Sequence, residues 1–147
     1  MNKSYSWGNY PKSDSKYYEF EIDDHSSIFK KNTIPYGNGR SYGDSCVSEN
    51  IVGIKKHNHF LSFNKNSGLL KVQSGVLLSE ILEVIIQHGW FLKVVPGTKF
   101  ITIGGAIASD IHGKNHHLEG CFSACVNWFS LLLPSGVKIK CSRGENQ

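Results

Sequence analysis

Absent from this chain is any apolar run near the roughly 18 residues that a membrane-spanning helix needs. The longest apolar stretch, toward the C-terminus, is broken by Asn127, Ser130 and Pro134, so no membrane span is expected. The opening residues, MNKSYSWGNYPKSDSKYYEF, have no apolar h-region and do not read as a signal peptide. Cysteine is scarce: Cys46, Cys121, Cys125 and Cys141 form no C-x-x-C pair, and four free thiols in a reducing cytoplasm is the expectation. There is no dense block of one charge. The net charge is +4, and Lys3, Lys12, Lys16, Lys30, Lys31, Lys55 and Lys56 are scattered. That pattern suits solvated faces, and no nucleic-acid partner is expected. Internal repeats and low-complexity tracts are missing too.

What remains is an ordinary globular composition, 39% hydrophobic and 12% aromatic over 147 residues, which points to one domain. Residues 1–20 show no clear period and are read as a leader packed across a surface. Ile51-Val52-Gly53-Ile54 predicts a short strand, and Leu69–Val76 a second after the turn signal Asn66-Ser67-Gly68. The period then changes. Leu78, Ile81, Leu82, Ile85 and Ile86 recur on one helical face, and Gly89 follows where a left-handed cap belongs. Trp90–Val95 predicts a buried strand ending at Pro96. Val126–Leu133 and Val137–Cys141 flank Pro134-Ser135-Gly136 and predict a hairpin. The expected fold class is α/β (α+β).

Glycine carries the most information. Of 15 glycines only Gly8 precedes residue 37. One cluster runs Pro35, Tyr36, Gly37, Asn38, Gly39, Arg40, Ser41, Tyr42, Gly43, Asp44, Ser45; a longer one runs from Pro96 to Gly113. Glycine reaches positive φ and lets a ligand approach the backbone. Successive bare N–H groups in such turns form anion-binding nests, which suits a pyrophosphate. Gly37-Asn38-Gly39 also reads as a plain hairpin turn. The spacing G-x-G-x-x-x-G, with a strand rather than a helix expected to follow, is not a dinucleotide fingerprint of the doubly wound fold, and no G-x-x-x-x-G-K-[ST] loop occurs. Between Gly104 and Ser109 nearly every side chain is small. Backbone lying against a flat ligand, or tight helix–sheet packing, would each explain that.

These two loops, in this order with strand–helix–strand between them, resemble the FAD-binding segment of the vanillyl-alcohol-oxidase superfamily. Within it the chain is similar to the decaprenylphosphoryl-ribose oxidase-like, FAD-linked oxidoreductases. The motifs are G-R-S-Y-G-D at 39–44, P-G-T at 96–98 and T-x-G-G-A-I-A-x-D-I-H-G-K-N-H-H from Thr102 to His117, with Trp7-Gly8-x-Tyr10-Pro11 like that group's opening. The resemblance covers about Trp7 to Glu145. It implies a PCMH-type FAD-binding fold, incomplete at the C-terminus, with no substrate domain in the 147 residues. It implies that Pro35–Ser45 wraps the FAD pyrophosphate, and that Gly97, Thr102, Ile103, Gly104, Gly105, Ser109, Asp110, Ile111 and His112 line the cofactor. His112 and Lys114 would lie near the flavin ring and substrate as catalytic residues. Some superfamily members attach flavin through a first-loop histidine; Ser41-Tyr42 stands there, so non-covalent FAD is expected.

The implied activity is oxidation of a sugar or polyol hydroxyl to a carbonyl, with the hydride passing to FAD. The chain alone is expected to be inactive, and a separately encoded C-terminal half is one partner that could complete it. The alternative is a non-catalytic flavin-binding remnant or half of a split enzyme. A metal cluster of Asp110, His112, His116 and His117 is weighed and set aside, because Gly113 and Asn115 argue against the helix that an i, i+4 histidine pair needs. His25, His57, His59 and His88 are read as surface residues, Lys114 alternatively as a solvated lysine, and Cys121 and Cys125 as strand or core thiols rather than a redox pair.

Overall fold

The computed structural model describes residues 2–21 and 32–146; His25, Lys30 and Lys31 lie outside them. The leader is not a surface strap. Strands β1 (Asn2–Tyr5) and β2 (Lys12–Glu19) pair antiparallel and open a four-stranded sheet. β3 (Ile34–Tyr36) and β4 (Asn50–Gly53) complete it in the order β1-β2-β4-β3, with β2 and β3 each parallel to β4. The usual alternation of large apolar side chains is missing because buried serines fill the inward positions. Ser4, Ser6 and Ser15 are all essentially inaccessible, and the Ser4 and Ser15 hydroxyls are hydrogen-bonded to each other. Ser15 also bonds the Ser48 carbonyl, so the buried polar atoms are satisfied. Ile51 and Val52 on β4 supply the apolar part.

β5 (Phe60–Asn64) and β6 (Leu69–Val72) form a hairpin whose turn is held by the Asn64 side chain, which accepts from the N–H groups of Asn66 and Ser67. β6 is shorter than the predicted Leu69–Val76, because Val76 leaves the sheet to enter the core. Helix α1 (Leu78–Ile85) forms as its period predicts, with the Glu80 carboxylate accepting from Leu77 N–H at its start. Leu78, Ile81 and Ile85 are buried, each burial contributing roughly 1.5–3 kcal/mol. Ile86 begins a single 3-10 turn, Ile86–His88, and is 54% exposed; Gly89 caps that turn at φ 78°.

Trp90–Val95 is not a strand. The Trp90 ring covers Gly68 in the β5–β6 turn, its indole N–H donates to the Lys65 carbonyl at 2.7 Å, and Phe91 is exposed. Val94 is buried in the core and Leu92 packs against its edge. Helix α2 (Ile103–Ala108), helix α3 (His116–Glu119) and a 3-10 turn at Phe122–Cys125 follow. The hairpin of β7 (Trp128–Leu132) and β8 (Lys138–Ser142) closes the described chain. The main core gathers Val76, Leu78, Ile81, Ile85, Val94, Ala106 and Phe122. The architecture is mixed α/β, and no helix among the described residues is long and apolar enough to cross a membrane.

Candidate functional site

The first glycine loop leaves the end of β3 and returns through β4, so both ends are fixed by the parallel sheet. Gly39 is buried at φ 62°; a Cβ there would lie 2.5 Å from the Tyr36 hydroxyl and 2.8 Å from the Tyr5 carbonyl. Only glycine fits that position. Tyr36 donates its hydroxyl to the Tyr5 carbonyl at 3.0 Å, and burial raises its phenol pKa above the ordinary value. A phenol kept protonated is a permanent donor, so this tie between loop and leader persists through the physiological range. Trp7 N–H donates to the Ser41 carbonyl at 3.0 Å, and the Arg40 guanidinium lies 5.5 Å from the centre of the Trp7 ring.

Residues 38–45 have their backbone N–H groups free: among the described residues, none donates to a protein acceptor. With Gly39 and Gly43 at positive φ, that row has the character of an anion nest. Tyr42 stands 82% exposed at its rim; Pro35, Asp44 and Ser45 are exposed too.

The second loop differs. Thr102 is buried and caps α2, its Oγ1 accepting from Gly105 N–H at 3.2 Å. Ile103 N–H bonds the Val76 carbonyl, Gly104 N–H that of Ser74, and Ala106 N–H that of Thr102. The first-turn donors are therefore consumed internally, and this helix end is not the anion site. What it presents is flatness. Gly105, Ala108 and Ser109 are exposed and share one helical face without a bulky side chain, while Gly97 has open space where a Cβ would be. Gly104 packs on Ser74, and Ile103 and Ile111 turn their side chains to the core. Tight packing thus explains the small residues on one side of the segment, and the other side is an exposed face without bulky side chains.

The two loops meet. Asn38 Nδ2 donates to the Phe100 carbonyl at 2.8 Å, and a Cβ on Gly37 would lie 2.6 Å from Thr102 Oγ1. The free N–H row and the flat face are thereby tied across 62 residues of chain. Tyr5, Trp7 and Phe100 are neighbours of the first loop that sequence periodicity misses; only the Trp7-Gly8 motif marks one of them.

His112 and Lys114 are exposed. His112 bridges Cys121, and its ring lies 5.4 Å from that of His116 in an edge-on arrangement. Gly113 is buried beneath the Val95 carbonyl, and Asn115 Nδ2 donates to the Lys93 carbonyl at 3.1 Å. Asp110, at φ 38°, accepts from the Ser123 N–H at 2.8 Å and hydroxyl at 3.2 Å. Its carboxylate therefore anchors the Phe122–Cys125 turn. Among the described residues no hydrogen bond, ion pair or ring contact ties His112 or Lys114 to the first loop, and no group of three His, Cys, Asp or Glu side chains could hold a metal ion. His59 and His88 are exposed as predicted, but His57 is half-buried, edge-on to Phe20 at 5.3 Å. Cys46 and Cys141 are buried; Cys125 is an exposed thiol and Cys121 is intermediate.

A row of free N–H groups beside a side-chain-poor face fits a ligand with an anionic linker and a planar ring system. A flavin dinucleotide has that form, and the residues present are compatible with it. The comparisons agree. The FAD binding domain model matches residues 27–142. Decaprenylphosphoryl-beta-D-ribose oxidase of Mycolicibacterium smegmatis is 37% identical over 72% of this chain and 24% of its own length. D-lactate dehydrogenase of Anaerostipes hadrus is 31% identical over 61% of this chain and 19% of its own. L-gulonolactone oxidase of Mus musculus is 27% identical over 75% and 25%. The chain thus spans about a quarter of the relatives' length or less. Among solved structures, alkyldihydroxyacetonephosphate synthase superposes with a TM-score of 0.68 at 22% identity, over 82% of this chain and 24% of its own, which is a likeness of fold.

Proposed function

This chain belongs to the FAD binding domain family, and from that premise we propose that it supplies the flavin site of an oxidoreductase acting on a sugar or polyol hydroxyl. One observation carries the reading: the free N–H row of residues 38–45 is tied to the flat Gly105–Ser109 face through Asn38 and Phe100. In this reading the row receives the cofactor's phosphates, and Gly97, Gly105 and Ser109 lie against its extended body. The flavin when bound accepts the hydride; the protein holds and orients it. In this reading His112 orients the substrate hydroxyl or takes its proton, and Lys114 contributes positive charge. No histidine lies between Pro35 and Ser45, which supports non-covalent attachment. The substrate class is supported by two relatives, whose names make them oxidases of decaprenylphosphoryl-ribose and of L-gulonolactone.

We place the protein in the cytoplasm and propose that turnover needs a C-terminal portion like that of its relatives, in the same chain or supplied as a partner, because these residues span only about a quarter of the relatives' length. Without that portion a substrate carbon would not be held in transfer geometry, and misplacement alone costs powers of ten in rate. The test is dye reduction with the C-terminal portion of a close relative supplied in trans, across sugars, polyols and 2-hydroxy acids. Reduction with sugars or polyols, and only in the reconstituted mixture, is the expected result. Reduction confined to 2-hydroxy acids would overturn the substrate class. Robust reduction by the 147-residue chain alone would overturn the need for a partner.

A further inference from the structure

We infer that Trp7 is a positioning residue for the anion-binding loop: its ring fixes the Arg40 guanidinium beside the free N–H row and thereby sets affinity for the phosphate part of the ligand. The inference rests on the flavin-dinucleotide reading and adds a role for the leader. Three observations converge. The leader is bound to the loop by its own backbone, through Trp7 N–H to the Ser41 carbonyl at 3.0 Å and the Tyr36 hydroxyl to the Tyr5 carbonyl at 3.0 Å. The turn that presents Trp7 is tight, with Asn9 N–H on the Ser6 carbonyl, Asn9 at φ 55° and Ser6 buried. Arg40 has no carboxylate partner among the described residues, and its buried Nε meets no acceptor.

A cation that lacks an anion and is steered by an aromatic face keeps its charge available. Stacking of guanidinium on indole is the stronger form of this contact, and a phenyl ring retains part of it. Arg40 belongs to the row of free N–H groups, between buried Gly39 and half-buried Ser41, so in this inference its charge serves the phosphate received there. Trp7 is itself half exposed, so its ring can be removed without opening the core. The sheet beneath, with Ser4 and Ser15 paired, is untouched by that change.

The experiment measures affinities of the chain for FAD, for ADP and for riboflavin, at low and high salt, alongside thermal midpoints. The variants are Trp7→Ala, Trp7→Phe, Arg40→Gln and the double Trp7→Ala/Arg40→Gln. Trp7→Ala is expected to weaken FAD and ADP about fivefold, with Trp7→Phe recovering most of the loss. Arg40→Gln is expected to cost about tenfold and to flatten the salt dependence. Riboflavin, which carries no phosphate, should be bound alike by all. The double variant should be no weaker than Arg40→Gln, since Trp7 acts through Arg40. Equal losses for ADP and riboflavin, equal behaviour of the Ala and Phe variants, or lowered midpoints with unchanged affinities would each overturn the inference and leave the flavin reading standing. If Trp7→Ala fails to fold, Trp7→Phe and Arg40→Gln carry the comparison. No binding of FAD or ADP by the unsubstituted chain would overturn both.

Discussion

The Asn38 side-chain amide and the Phe100 backbone carbonyl, 2.8 Å apart, are the point at which two glycine-rich loops distant in sequence become one surface. Asn38→Ala removes that bond and leaves the Phe100 carbonyl to water. The expected cost in stability is about 1 kcal/mol. Flavin affinity should fall by more, because the two halves of the site lose their common register. Denaturant titration against FAD titration checks this; equal losses in both would reduce the bond to a structural tie.

Two glycines separate fold from site. Gly39→Ala places a Cβ against Tyr36 and Tyr5 at φ 62°, so it should destabilise by at least about 2 kcal/mol. Gly105→Ala meets only Thr102 Oγ1, at 3.2 Å, from an exposed position within α2. There the gain in helix propensity should hold stability within about 1 kcal/mol of the parent while FAD affinity drops. Thermal melting with a flavin titration distinguishes them. Unchanged affinity in a folded Gly105→Ala would mean that the flat face does not meet the cofactor.

Asp110 is a candidate of a different kind. Its carboxylate holds the Ser123 N–H and hydroxyl from a backbone at φ 38°. Asp110→Ala should cost about 1–3 kcal/mol, through the lost partners and the strained φ. Asp110→Asn keeps an acceptor and tolerates that φ, so it should lose less than half as much. Similar thermal midpoints for the two variants would contradict this role.

His57 gives the fold a pH dependence. Burial pushes its imidazole pKa below the usual value, with the positive charges of His59 and Lys138 adding to the effect. The unfolded chain then takes up the proton more readily than the folded one. Stability is therefore full above pH about 6.5 and falls as the pH drops from there toward the depressed folded value. His57→Gln should flatten that part of a denaturant-midpoint profile taken between pH 8 and pH 5. An unaltered slope would assign the dependence to other groups.

Much of this could be read from sequence where side-chain size carries the pattern. Leu78, Ile81 and Ile85 announce α1 by period, and Pro134-Ser135-Gly136 announces the last hairpin. The leader strands escape because Ser4 and Ser15 occupy the inward places that a strand pattern reserves for large apolar residues. α2 escapes for the opposite reason: Gly104-Gly105 are poor helix formers, and the Thr102 cap and packing on Val76 overrule their propensity. Trp90–Val95 misleads because its aromatics serve a neighbouring turn and the surface. The glycine clusters are legible as loops where backbone can be approached closely. Which of them keeps free donors, and which spends them inside its own helix, depends on Ser74 and Val76 carbonyls that no local pattern reveals.

The most direct measurement is the absorption spectrum of the purified chain after incubation with FAD and removal of excess, followed by acid precipitation. The expected result is one equivalent of flavin on the native protein and all of it in the acid supernatant. Protein that emerges free of flavin, at FAD concentrations that saturate a member of the same family, would contradict the assignment of the site.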